Sequence, residues 1–164
     1  MSNKSFQAII GLPSILRRFT AMIYDTLLLA ACLLAGSAII NILAVLSAEK
    51  GTIIEGKIAL NDQWQLVLFI FSAFIYWAFF CYFWVKSGQT LGMQTWRMRI
   101  DNLKPGQENV RITYTQASIR LVAAFFSFAC FGLGYFWCLI DKNKQTWHDK
   151  LSNSQLVLLE KRKG

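Results

Sequence analysis

The chain has 164 residues, room for one domain, yet 55% of them are hydrophobic and only 16% charged. A water-soluble domain of that size cannot hide so much apolar surface, which excludes an ordinary soluble globular protein. The net charge of +8 would suit nucleic acid. The basic residues cluster beside apolar blocks, however, where they set orientation and meet anionic headgroups, so nucleic acid is not an expected partner.

In chain order, Pro13 and Ser14 read as a helix start, with Ser as the cap. Three blocks then run almost free of charge: Phe19 to Leu46, Trp64 to Val85 and Ala117 to Ile140. A helix crossing the hydrocarbon core needs roughly 20 such residues, and blocks of this length lack the alternation of barrel strands. The expected membrane helices are 14–46, 64–85 and 114–140, in a single membrane domain over 1–164. The first block is too long for a signal-peptide core, carries Asp25 and ends without a small-x-small cleavage pattern, so it is expected to stay. Cys32, Cys81, Cys130 and Cys138 all fall in the apolar blocks, without the spacing or His partners of a metal site, and read as small packing residues.

The basic residues orient the chain. Three precede the first block, two lie in the first loop (Lys50, Lys57), five in the second loop and six after Ile140. The positive-inside rule puts the amino terminus and the second loop in the cytoplasm and 47–63 outside. Three plain crossings would leave eight basic residues on each side; a third block that turns back gives fourteen inside against two outside. Gly132 and Gly134 sit where such a helix could break. The expected fold class is therefore an all-α polytopic membrane protein. It has two full transmembrane helices, a third segment that is broken or re-entrant, and a small cytoplasmic β element.

That β element comes from the second loop and the tail. Gln94 to Asp101 alternates, with Trp96, Met98 and Ile100 on one side, and predicts a half-buried strand. Asn102 to Gly106 reads as a turn, and Val110 to Ile112 as a returning strand. Thr113 followed by Gln116 resembles a capping box opening the third helix. Gln155 to Leu159 could pair with these strands only from the same side of the membrane, a second reason to place the tail (141–164) inside. Glu160 to Gly164 reads as a frayed basic end.

Charges inside the apolar blocks cost about 2.5 to 3.5 kcal/mol each at mid-helix and so mark candidate sites. Arg18, Asp25 and Arg120 qualify. Arg18 and Asp25 share one helix face about 10 Å apart, continued by Met22, Leu29, Cys32 and Gly36. The face of Arg120 runs through Ala123, Ala124, Ser127, Cys130 and Gly134. Two small-residue stripes, each with a charge, predict helices packed together with an Asp25–Arg120 ion pair. The blander readings are that Arg18 snorkels, Asp25 lies in the interface, or the pair only fixes helix register. His148 and Asp149 form the other polar cluster, either a proton relay or, more commonly, a loop anchor. Gly88-x-Thr90-x-Gly92 lacks the Gly-Lys-Ser/Thr of a phosphate loop and reads as a tight turn leaving the second helix. No nucleophile and base are spaced for catalysis, and neither an enzyme nor a cofactor is expected.

These residues together resemble the RDD family of bacterial membrane proteins, named for one arginine and two aspartates. The resemblance is carried by Arg18-Phe19-x-Ala21-x-x-x-Asp25, Gly88-x-Thr90-x-Gly92-Met93, Arg120 and Thr146-Trp147-His148-Asp149-Lys150-Leu151. It maps the name onto Arg18, Asp25 and Asp149, with Asp141 as the substitute for the last. The chain departs from the family at Met93, where Lys is usual, and at Asn153-Ser154, where Gly-Thr is usual. The resemblance implies a polytopic protein of the bacterial inner membrane, with sodium/proton antiport proposed for some members.

The leading expectation is a transport-related protein moving protons or monovalent cations. In it Asp25 is the exchangeable carboxylate, its charge tuned by Arg120 or Arg18. Two or three crossings seldom enclose a path alone, so a homo-oligomer or a membrane partner protein is expected. The rival is an accessory or scaffold subunit that docks a partner through its cytoplasmic segments.

Overall fold

A computed structural model of the chain describes residues 9–47, 53–54, 57–58, 62–103 and 111–161. The polypeptide divides into two compact units, one made of 1–25 with 80–164 and the other of 26–79.

The first helix, α1 (Ile15–Ser47), begins one residue after the expected cap, and the Ser14 carbonyl accepts the Arg18 N–H at 3.3 Å. Its 33 residues span about 50 Å, well beyond the roughly 30 Å of a hydrocarbon core. The second long helix, α2 (Asp62–Ser87), has 26 residues, about 39 Å. Both are long and apolar enough to cross a membrane. Leu34, Leu46 and Phe69 are more than two-thirds exposed, and Ile23, Ile42 and Ile70 more than half; acyl chains are the solvent that suits such surfaces. Within the second unit Gly36 stands where any Cβ would run into the ring of Phe71 on α2. The small residue thus serves α2, and not the third block as expected. Three short strands, β1 (Ile9–Gly11) before α1 and the pair β2 (Ile53–Ile54) and β3 (Lys57–Ile58) between the long helices, complete the first half.

The first unit holds the rest. After α2 come a short helix α3 (Leu91–Thr95), strand β4 (Met98–Asn102), helix α4 (Tyr114–Ala129), helix α5 (Leu133–Phe136) with a 3-10 turn over Trp137–Leu139, helix α6 (Trp147–Leu151) and strand β5 (Ser154–Leu159). The strand expected from Gln94 starts four residues later. Thr90 caps a helix there instead, its side chain accepting the Met93 N–H, and a filled cap favours helix over extended chain. Beyond the bend the predicted alternation holds: Met98, Ile100 and Asn102 are buried while Arg99 and Asp101 are half-exposed.

The sheet has the order β1-β5-β4, and both pairings are antiparallel. Met98 to Asn102 pair in register with Leu158 to Ser154, so the tail supplies the partner expected from 110–112. Arg111 and Ile112 are in no strand, and their place against β4 is taken by the longer β5. Residues 104–110 of the expected turn and return, and 162–164 of the basic end, lie outside the described residues. Beneath the sheet Met98, Ile100 and Leu156 pack with Ala21, Cys81, Trp84, Met93, Ile112, Ala117 and Leu121 in one apolar core.

The third apolar block is bent by 108° between α4 and the segment Leu133–Leu139. At the break Phe131 (φ 53°) and Gly132 (φ 75°) take left-handed backbone, which ends α4 and turns the chain. The Thr113–Gln116 capping box opens α4 as predicted. Gly134 lets the returning arm close on α4, because a Cβ there would overlap the Ser127 side chain and Trp147. The small-residue stripe below Arg120 therefore receives its own returning arm, not α1.

A buried arginine-aspartate-arginine cluster beside a helix-capping aspartate

Arg18, Ala21 and Asp25 are all buried on one face of α1, as the spacing of seven requires. They reach different neighbours. Arg18 Nη1 lies 3.4 Å from Asp149 Oδ2, and its Nη2 donates to the Lys144 carbonyl at 3.1 Å. Arg120 Nη2 lies 2.6 Å from the other carboxylate oxygen, Asp149 Oδ1, and its Nη1 donates to Ser154 Oγ at 2.7 Å. The Arg120 guanidinium also sits 5.6 Å from the centre of the Trp84 ring, a cation–π contact. One fully buried carboxylate thus holds two guanidinium groups, one from α1 and one from α4.

Asp149 is fixed by its own helix. Thr146 and Asp149 form a second capping box: the Thr146 Oγ accepts the Asp149 N–H, and Asp149 Oδ2 accepts the Thr146 N–H at 3.0 Å. The pattern Thr-x-x-Asp was present in the sequence and marks this site. Burial alone would raise the Asp149 carboxyl. Arg120 foremost, with His148, the Thr146 amide and Arg18, outweighs it and holds the group well below the carboxylate range. Next to it His148 is pushed down to about 3, first by burial and then by Arg120 and Arg18. The imidazole is neutral at neutral pH and lies 4.9 Å from the Tyr135 ring. A relay that needs His148 to charge near pH 7 is not supported by this environment; packing in the anchor of α6 is.

Asp25 is 5% exposed and does not meet Arg120. Its Oδ2 accepts the Thr90 hydroxyl at 2.5 Å and its Oδ1 accepts the Gly92 N–H at 2.9 Å. The expected Asp25–Arg120 ion pair is absent because Asp149, supplied by the tail, takes both arginines. Asp25 in turn caps α3 from outside, accepting a backbone N–H of its first turn. The Gly-x-Thr-x-Gly sequence acquires a geometric reason. Gly88 has φ 72°, where a side chain is strained; Thr90 is the cap; and a Cβ on Gly92 would collide with the Ala21 carbonyl oxygen. It is a turn, as expected, but one built to bring a backbone amide to a carboxylate.

Asp141 pairs with Lys150 at 2.5 Å, with Lys150 largely in the open. It takes no part in the cluster, so Asp149 and not Asp141 is the second aspartate of the buried set. Polar residues outside the expected set of site residues complete the frame. Gln116 Nε2 donates to Asn102 Oδ1 at 3.0 Å and to the Ser152 carbonyl at 3.1 Å, and Ser152 and Ser154 share a hydrogen bond of 2.7 Å. Asn153 stands at φ 47°, a backbone region that Asn tolerates better than most side chains. The departure from Gly-Thr to Asn153-Ser154 thus keeps both the left-handed residue and a hydroxyl for Arg120.

Apolar helices of spanning length, with charges buried only where they meet partners from distant parts of the chain, define an integral membrane protein. The chain belongs to the RDD family, which it matches over residues 12–153, a stretch containing Arg18, Asp25, Arg120 and Asp149. No curated protein and no solved structure matches it.

Proposed function

We propose that the protein moves protons or monovalent cations across a bacterial cytoplasmic membrane, with Asp25 as the exchangeable carboxylate and without enzymatic chemistry. The observation that carries this reading is the company Asp25 keeps: a buried carboxylate whose hydrogen-bond partners, among the described residues, are a hydroxyl and an amide. Among the described residues the buried Arg, Asp and His side chains are Arg18, Arg120, Asp25, Asp149 and His148, the last neutral. Two cations share Asp149, so the set is neutral only with Asp25 ionised and carries one positive charge when Asp25 holds a proton. A group without a fixed counter-ion at contact distance is the one that can trade a proton for a cation. Among the described residues neither Arg120 nor Arg18 pairs with Asp25; both pair with Asp149.

The amino terminus is assigned to the cytoplasm by the excess of Lys and Arg in the second loop and tail. A working homo-oligomer is part of the proposal, since two spanning helices enclose no path by themselves. The test is cation-dependent proton flux in proteoliposomes for the wild type and Asp25→Asn. Flux in the wild type, lost in a folded variant, supports transport; equal flux in both removes it and leaves the accessory-subunit reading, in which the sheet docks a partner.

A further inference from the structure

We infer that α4 and the returning arm Leu133–Leu139 form a hairpin that dips into a single leaflet and leaves by the side on which it entered, with Phe131 at its tip among acyl-chain ends. The bend alone would also fit a broken crossing; the sheet decides between them. Strand β4 precedes the hairpin and β5 follows it, and the two are hydrogen-bonded over five consecutive residue pairs. A hydrogen-bonded ladder cannot straddle a hydrocarbon core, because every pair must lie on one side of it. The base of the hairpin is tied to the same place. The Leu103 N–H donates to the Asn153 carbonyl at 2.9 Å, and Gln116 in the first turn of α4 bridges Asn102 and the Ser152 carbonyl.

Length agrees. From Arg120, the last charged residue on the descending arm, to Phe131 is 11 residues, about 16 Å of helical rise, against about 15 Å for half a hydrocarbon core. The side chains facing outward suit only that surrounding. Phe125, Phe126, Phe128 and Leu133 are each more than half exposed and Phe131 is 93% exposed, while Arg120 and Ser127 of α4 are buried. The occupant of this surface is therefore the acyl chains of one leaflet, the leaflet on the sheet's side.

The test uses full-length protein in oriented vesicles, with the exposed Cys32 and Cys130 changed to Ala. Arg111→Cys and Asn143→Cys, both at exposed positions, should react with a membrane-impermeant maleimide from the same side. Phe131→Cys carrying a bimane should be quenched by lipid with a doxyl group at mid-chain and spared by aqueous iodide. Reaction of the two flanking cysteines from opposite sides, or iodide quenching at Phe131, overturns the inference. So does protection of Phe131 from both quenchers, which would mean a protein partner covers the tip. Should the cysteine changes impair folding, epitope tags at the two ends of the wild-type chain give the same reading: one side for both is expected, and opposite sides overturn it.

Discussion

Arg18 and Asp149 lie 131 positions apart, yet form a buried ion pair. Asp149 is at once the N3 residue of a capping box on α6 and the shared anion of Arg18 and Arg120. Removing its charge strands two guanidinium groups in a site from which water is excluded. Asp149→Asn should destabilise the protein by about 3 to 5 kcal/mol, the cost typical of breaking a buried pair. Asp141→Asn, which breaks the more exposed pair with Lys150, should cost far less, because solvent screens such a pair. Thermal unfolding of the two variants in detergent gives the comparison, and similar losses would mean that the buried cluster is no tighter than a surface pair.

Arg120 serves three partners with one planar fork: Asp149, Ser154 Oγ and the Trp84 ring. An ammonium can satisfy only part of that geometry. Arg120→Lys should therefore lose stability by about 1.5 to 3 kcal/mol, the scale of a charged hydrogen bond, although net charge is unchanged. An unaltered melting temperature would show that charge alone matters at this position.

The approach of α3 to α1 rests on Gly92, since a methyl group there meets the Ala21 carbonyl oxygen. Gly92→Ala must push α3 away and lengthen the hydrogen bond to Asp25, with a stability cost of about 1 to 3 kcal/mol from overpacking. Under the transport reading it should also depress flux while leaving the carboxylate in place. Gly88→Ala strains a residue at φ 72° and should cost about 1 to 2 kcal/mol. Its effect on Asp25 is indirect, so flux per folded molecule should be less affected. Unfolding curves and proteoliposome flux, measured on the same preparations, separate the two.

What the sequence revealed and what it hid divide along the range of the interactions. The long helices, the alternation at Met98 to Asn102 and the Thr113–Gln116 cap are written in residues a few positions apart, and period or spacing exposes them. That Arg18 and Asp25 share a face follows from the same arithmetic. Their partners do not. Complementary charge suggested Asp25 with Arg120, but the true anion for Arg120 comes from 29 residues further on, and Asp25 is satisfied by a backbone amide that no side-chain pattern advertises. Close approach at Gly36 and Gly134 is legible in their size, whereas Cys32 and Cys130, expected to pack in the same stripes, are exposed. Which element approaches is not legible: at Gly36 it is Phe71 of α2, and at Gly134 it is the returning arm, which the left-handed pair Phe131 and Gly132 turns back onto α4.

Acid should loosen the first unit before Asp149 titrates. His148 takes up its proton near 6.5 when unfolded but only at about 3 when folded, so between those values the unfolded state binds more protons. Its contribution to stability is complete above pH 6.5 and is lost as pH falls toward 3, at up to about 1.4 kcal/mol per pH unit. Asp149, held below its ordinary 3.8, adds a further loss only below that value. Melting temperature followed from pH 7 to pH 4 should therefore decline for the wild type and decline less for His148→Gln, whose side chain takes up no proton in this range. Parallel slopes for the two proteins would place the acid sensitivity elsewhere.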